Sequence, residues 1–225
     1  MNLSIIIPLY NEQSLVLTVI AKLISLEYPS FLNSYEIIVV DDCSSDNSYN
    51  IVKEYSATNE KIHVLQHKTN KGKGAAVKTG IAFSKGDTIL IQDADLELSP
   101  DDIPSMLTVM HSLEVDFVNG SRYLPGVYRP LSSYRRYLVN RFFTFLTSVL
   151  INVKLTDMAC GYKLIKKSLL SKISLVENRF GFEAELIIKA LRIKRNNIAE
   201  VPVHYFPRNE GEGKKLRNID GIKIL

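Results

Sequence analysis

An α/β fold with a mostly parallel central sheet flanked by helices is what this sequence predicts. Three observations predict it. Short β-branched runs alternate with helical patterns through the first hundred residues. Acidic and amide residues recur just beyond the ends of those runs. The 225 residues, 46% of them hydrophobic, suffice for one well-buried core but are short for two, so residues 1–225 are expected to form a single domain.

The elements follow in order. Residues 3–9 are expected as the first strand, followed by a helix over 12–26, a strand over 35–40 and a helix over 45–55 with Ser44, Ser45 and Asp46 as capping residues. A strand over 62–65, a helix over 74–84 and a strand over 88–91 continue the alternation. Pro100, Asp101 and Asp102 open a further helix. Residues 115–119 read as a strand, and Gly120, Pro125, Gly126 and Pro130 as a loop. An apolar helix (138–153), a second helical pattern (182–194) and a late strand (198–203) complete the pattern, and the polar, basic, glycine-containing tail is expected to be mobile.

Composition excludes several classes. A formal charge of +4 suits an anionic ligand or membrane surface but lacks the dense basic tract of a nucleic-acid binder, so no nucleic acid is expected. Cys43 and Cys160 are far apart and lack metal-ligand spacing, which argues against a disulfide framework or zinc site and for a reducing cytosol. Neither they nor the four histidines form a catalytic pattern. No basic stretch precedes the first apolar run, so a first strand is expected there rather than a signal peptide. Residues 138–153 fall short of a membrane span, yet Leu138, Phe142, Phe145, Leu146, Val149, Leu150 and Val153 recur at helical spacing, with Val139, Phe143 and Ile151 widening the arc. Such a helix needs two neighbours, or one neighbour and a membrane.

In an open parallel sheet, ligands bind beyond the carboxyl ends of the strands, where strand order reverses. The unusual polar residues stand at four such ends: Pro8 to Glu12, Asp41 to Asp46, Asn70 to Gly74, and Gln92 to Glu97. So many carboxylates would repel one another and any diphosphate unless a positive group intervenes or hydroxyls and base edges occupy some of them. A divalent cation, Mg²⁺ or Mn²⁺, held by Asp93 and Asp95 resolves the conflict and would neutralise a leaving diphosphate. Short acidic motifs are common in solvated loops, and it is the place after the fourth strand that singles this one out. Asp41 and Asp42 equally suit a strand terminus and helix cap, and the 70–74 loop, neither a P-loop nor a dinucleotide fingerprint, equally suits a glycine turn.

The segments IIIPLYNE, VVDDCSSD, NKGKGAA, QDADLE, GSRY and TDMACGYK, in this order, resemble the inverting family 2 glycosyltransferases of GT-A (Rossmann-like) fold. Within them the similarity is to the dolichol-phosphate mannosyltransferase-like, polyprenyl-phosphate branch. The resemblance implies a nucleotide-sugar-binding half (1–120), an acceptor half (121–207) and a basic tail (208–225). It implies that Pro8, Tyr10, Glu12, Asp41, Asp42, Lys73 and Ala94 line the donor, a GDP-mannose- or UDP-glucose-type nucleotide sugar. Asp93 and Asp95 would bind the metal and diphosphate, with Glu97 as a further ligand. Arg208 and Lys214 belong to a segment that closes over the diphosphate in this branch.

On the acceptor side, Arg122 and Arg136 match positions that bind the acceptor phosphate, and a guanidinium fork suits that geometry. Solvation or pairing with nearby carboxylates is the alternative for either. Asn140 stands where relatives carry a small hydroxyl residue. Asp157 matches the acceptor-side carboxylate: a base if the acceptor is a saccharide hydroxyl, structural if it is a lipid phosphate. Glu183 and Glu185 resemble another recurring segment but also suit a helix start.

The expectation is therefore a metal-dependent transferase with Asp95, Asp157 and Arg208 at its reacting centre. The acceptor would be a polyprenyl phosphate, with peripheral contact at the cytoplasmic membrane face. Two rivals stand beside it: transfer to a glycan hydroxyl in cell-surface polysaccharide synthesis, and a non-catalytic nucleotide-sugar-binding subunit.

Overall fold

Positions 3–9, apolar apart from Ser4, have no polar face, which is the pattern of a strand covered on both sides. In the computed structural model, which describes residues 1–128, 133–179, 181–193 and 197–208, it is such a strand. β1 (Asn2–Leu9) lies inside a seven-stranded sheet of order β3-β2-β1-β4-β6-β5-β7. β2 (Ser34–Asp41), β3 (Ile62–Gln66) and β4 (Thr88–Ile91) join it in parallel. β5 (Phe117–Ser121) and β7 (Ile198–Pro202) also pair in parallel.

Ile5, Ile7 and Leu9 enter one core with α1 (Val16–Ser25), α2 (Ser48–Ser56) and α4 (Ile103–Ser112). Ile6, on the opposite face, enters a second with α3 (Lys73–Phe83), α5 (Tyr134–Ile151), α6 (Lys167–Leu170) and α7 (Phe182–Ile193). The order β3-β2-β1-β4 reverses direction between β1 and β4, which opens the crevice expected at that point.

Three expectations change. The helix expected over 12–26 begins at Val16, because Glu12 first closes a turn in which its carbonyl accepts from Leu15 and Val16 N–H. The second helix begins at Ser48 rather than 45, with the Asp46 carboxylate accepting from Ser48 N at 3.0 Å. The third difference is a strand that the sequence reading passed over: β6 (Lys163–Lys166) lies between β4 and β5, antiparallel to both. Four residues are too few to show a period, and two of them are lysines.

α5 is inverted relative to an ordinary surface helix. Its buried positions are Thr144, Thr147 and Ile151. Leu138, Val139, Phe142, Phe145, Leu146, Val149 and Leu150 are exposed, Leu150 to 75%. No helix among the described residues is long and apolar enough to cross a membrane.

Candidate active site at the strand ends

The loops after β1 and β2 are sewn together. Asn11, at φ 49°, donates its backbone N–H to Ser44 Oγ at 3.0 Å and accepts from Ser45 N at 2.8 Å. Glu12 N donates to Ser48 Oγ at 2.8 Å, and the buried Glu12 carboxylate is left facing the crevice. Pro8 lies in β1 opposite Val40 of β2, and Tyr10 is exposed at the strand end.

Asp41 and Asp42 are both buried. Asp41 accepts from Ser44 N at 3.2 Å and Gln66 Nε2 at 3.2 Å. Asp42 holds the 70–74 loop, accepting from Lys71 N at 2.9 Å and Gly72 N at 2.7 Å, with His67 Nδ1 at 2.7 Å on the same carboxylate. Gly72 has φ 97°, and a Cβ there would stand 2.5 Å from Asn178 O, so only glycine fits this turn. The capping alternative for these aspartates is thus partly realised, in loops rather than at a helix. His67, which carried no sequence signal, belongs to the same clamp.

That loop delivers Lys73 to the end of β4. Its Nζ lies 2.6 Å from Asp93 Oδ1 and 2.7 Å from Glu183 Oε1. Burial works against this ammonium, but Asp93 and Glu183 outweigh it and hold it above the ordinary lysine range. Glu183 is therefore more than a residue of the first turn of α7, while Glu185 accepts from Val176 N at 2.9 Å and Glu177 N at 2.9 Å.

The second carboxylate, Asp95, meets Arg208 Nη2 at 3.1 Å; the same guanidinium reaches Glu12 at 2.8 and 3.0 Å. Burial, and then Asp93, push the Asp95 carboxyl up to about 6. Ala94 between the two aspartates is buried. Glu97 Oε1 accepts from Arg208 N at 3.1 Å, which ties it to the segment after β7. Among the described residues no three His, Cys, Asp or Glu side chains are gathered into a metal cluster. Lys214 lies outside the described residues.

Across the crevice a second cluster forms. Arg122, just past β5, pairs with the fully buried Asp157: Nε to Oδ2 at 2.7 Å and Nη2 to Oδ1 at 2.9 Å. Arg122 N donates to Oδ2 at 3.1 Å, and Asn140 Nδ2 to Oδ1 at 3.0 Å. Burial raises a carboxyl's pKa, yet Arg122 and Asn140 outweigh it here and hold Asp157 below the usual carboxylate range. The pairing alternative for Arg122 is thus what the structure shows. Arg136 sits one helical turn before Asn140 on α5, its N–H capped by Ser133 Oγ at 3.5 Å.

The two clusters touch through the turn before β6. Tyr162 donates its hydroxyl to Gln92 Oε1 at 2.6 Å, and Gln92 Nε2 donates to Asp93 O at 2.9 Å. A Cβ on Gly161 would lie 2.5 Å from Asp93 Oδ2, so the turn is pressed against that carboxylate.

The profile of the family described as Glycosyl transferase family 2 matches residues 4–174. A dolichyl-phosphate beta-glucosyltransferase of Dictyostelium discoideum is 32% identical over 95% of this chain and 68% of its own length. An undecaprenyl-phosphate mannosyltransferase of Micrococcus luteus is 29% identical over 100% of this chain and 92% of its own. Among solved structures, glucosyl-3-phosphoglycerate synthase from Mycobacterium tuberculosis, in complex with Mn²⁺, UDP and phosphoglyceric acid, superposes with a TM-score of 0.69 at 20% identity. The match covers 94% of this chain and 72% of that one. At that identity the likeness is one of fold, and the fold is GT-A.

Proposed function

We propose, from the premise that this chain belongs to glycosyl transferase family 2, that it moves a hexose from a nucleoside-diphosphate sugar onto the phosphate of a polyprenyl lipid. The transfer is a single displacement that inverts the anomeric carbon.

The observation that carries the acceptor assignment is the state of Asp157. A general base needs an accessible lone pair and a pKa near the working pH. Asp157 has neither, since both oxygens are filled by Arg122 and Asn140 and its pKa is lowered. A saccharide hydroxyl would need a base here; a lipid phosphate is already an anion and needs none. Arg122 uses Nε and Nη2 toward Asp157 and lies over the Tyr123 and Tyr205 rings, while its Nη1 makes no hydrogen bond among the described residues and suits a phosphate oxygen. Arg136 supplies a second cation, and Asn140 keeps Asp157 in place. The polyprenyl-phosphate activities of the Dictyostelium and Micrococcus relatives support the same acceptor.

On the donor side, Asp93 and Asp95 stand side by side and partly exposed, burial and then Asp93 raise the Asp95 carboxyl, and their hard oxygens fit Mg²⁺ or Mn²⁺. A cation bound there would stabilise the charge that develops on the leaving diphosphate. Lys73 and Arg208 remain protonated and hold the diphosphate oxygens, a role the proposal extends to Lys214. Pro8, Tyr10, Glu12, Asp41, Asp42 and Ala94 shape the nucleoside side. The protein's contribution is position and charge.

The exposed apolar face of α5, with Arg135 and Arg136 in its first turn, rests on the cytoplasmic leaflet and presents the lipid's phosphate to Arg122. Vesicles with anionic lipid should bind the protein, and Phe145→Asp should release it; unchanged binding would remove this part of the reading.

The deciding experiment has two stages. Thermal stability is measured with UDP, GDP, dTDP and ADP, with and without Mn²⁺; a bound ligand at about 100 times its dissociation constant adds roughly 2.7 kcal/mol. The nucleotide sugar of the stabilising base is then offered with a polyprenyl phosphate and, separately, with glycan acceptors. Metal-dependent transfer to the lipid supports the reading; transfer only to glycans replaces the acceptor, and no stabilisation by any diphosphate favours a non-catalytic subunit.

A further inference from the structure

Three polar side chains lie beneath the Asp157 loop and have no part in the reaction as described. In the sheet register, Asn119 of β5 stands directly opposite Lys163 of β6 on one side and Glu200 of β7 on the other. Directly opposed side chains on neighbouring strands share one face and lie within contact distance. The three form one rung across the sheet, and all of them reach the same short stretch of backbone.

Lys163 is fully buried and donates from Nζ to Asn119 Oδ1 at 2.5 Å and to Met158 O at 3.3 Å. Asn119, also fully buried, donates from Nδ2 to Asp157 O at 2.8 Å and Glu200 Oε1 at 2.8 Å. Glu200 accepts at Oε2 from Thr156 N at 2.8 Å and Thr156 Oγ1 at 2.9 Å, and at Oε1 from Asp157 N at 3.4 Å.

A buried ammonium is costly, and an apolar side chain in the same strand position would avoid that cost. Burial drives the Lys163 pKa down, against the opposing pull of nearby groups that include the Asp157, Glu183 and Glu200 carboxylates. Stability of the sheet therefore does not account for a lysine here. What it grips does account for it: the carbonyl of Met158, next to the carboxylate that orients Arg122.

We propose that the Asn119–Lys163–Glu200 rung is a positioning device for the acceptor end of the site. It fixes the backbone of Thr156, Asp157 and Met158, which sets the Asp157 carboxylate and through it the guanidinium plane of Arg122. The proposal rests on the reading of Arg122 as the acceptor-phosphate contact.

The test uses the full chain with Lys163→Met and Glu200→Gln. An amide offers a single accepting oxygen, so Glu200→Gln keeps the shape but gives up one of the two attachments to the 156–157 backbone. It decides the matter if Lys163→Met does not fold. We expect kcat/KM for the polyprenyl phosphate to fall about 10- to 100-fold, the scale of a misplaced contact, with donor KM and diphosphate-induced stabilisation unchanged. Amide exchange should accelerate at Thr156 and Asp157 and stay slow in β1. Wild-type kinetics in the folded variants, or an equal fall for donor and acceptor, would sink the rung while leaving the acceptor assignment standing. A wild-type protein that transfers to no polyprenyl phosphate would sink that assignment and this proposal with it.

Discussion

Two clusters of carboxylates and cations face each other across one crevice, and they differ in how completely their charges are answered. At the end of β4, Asp93 and Asp95 keep about a quarter of their side-chain surface exposed and take their cations from elements distant in sequence, Lys73 and Arg208. Asp95 remains raised to about 6 despite Arg208. Past β5, Asp157 is wholly buried, bound through two parallel bonds and lowered. A carboxylate still raised beside its cation has room for more positive charge; one already lowered has been completed. The first cluster is built to exchange partners and the second to hold still.

The sharpest way to break this contrast is to neutralise one carboxylate in each. Asp95→Asn should reduce transfer by about 10²- to 10³-fold, the scale of losing one preorganised charge contact, and abolish metal-dependent stabilisation by the diphosphate. Its effect on the urea midpoint should be small. Asp157→Asn should act first on the fold, destabilising it by about 3 kcal/mol because the partly buried Arg122 guanidinium loses its fully buried counter-charge, and it should also lower kcat/KM for the polyprenyl phosphate by misplacing Arg122. Equal stability losses in the two variants would erase the distinction.

Acid sharpens the comparison further. A carboxylate with a folded-state pKa below its unfolded value of about 3.9 contributes stability that is fully present above that pH. That contribution is lost as pH falls through the folded value. The stability gap between wild type and Asp157→Asn should therefore stay constant from pH 7 to about 4.5 and close below about 4. A gap that does not narrow at all as the pH falls below about 4 would mean that Asp157 acts through shape and not charge.

The smallest expected effect probes the place where the clusters touch. Gly161→Ala puts a methyl 2.5 Å from Asp93 Oδ2, and the short Asp93 side chain must rotate to escape it. Overall stability should change by less than about 1 kcal/mol, while Mn²⁺-dependent diphosphate binding weakens several-fold. Unaltered binding would show that Asp93 has more freedom than its contacts imply.

Much of this was legible in the residues. The alternation through Ile91 placed four strand ends correctly, and glycine and acid positions marked the crevice, because parallel βα units write both period and polarity into local sequence. The inverted α5 was legible as an apolar arc too wide for one neighbour. β6 was not, since a four-residue strand with lysines at both ends draws its identity from its neighbours in the sheet. The role of Glu183 was hidden for a related reason: its partner Lys73 lies 110 residues away, and helix-start chemistry explained it equally well. His67 carried no signal, because one buried histidine without a motif looks like any other. Lys163 stood inside a recognised segment, but only strand register reveals what faces it.

The turn before β6 also acts as a ruler. Asp157 sets Arg122 and Gly161 abuts Asp93, and four peptide links can span no more than about 14 Å. On the proposed assignment, the gap between the acceptor contact and the donor contact is therefore capped by bond lengths, not only by domain packing. Adding a residue between 157 and 161 would lengthen that ruler without touching any charged side chain, which makes loop length a separate control on the reach of the transfer.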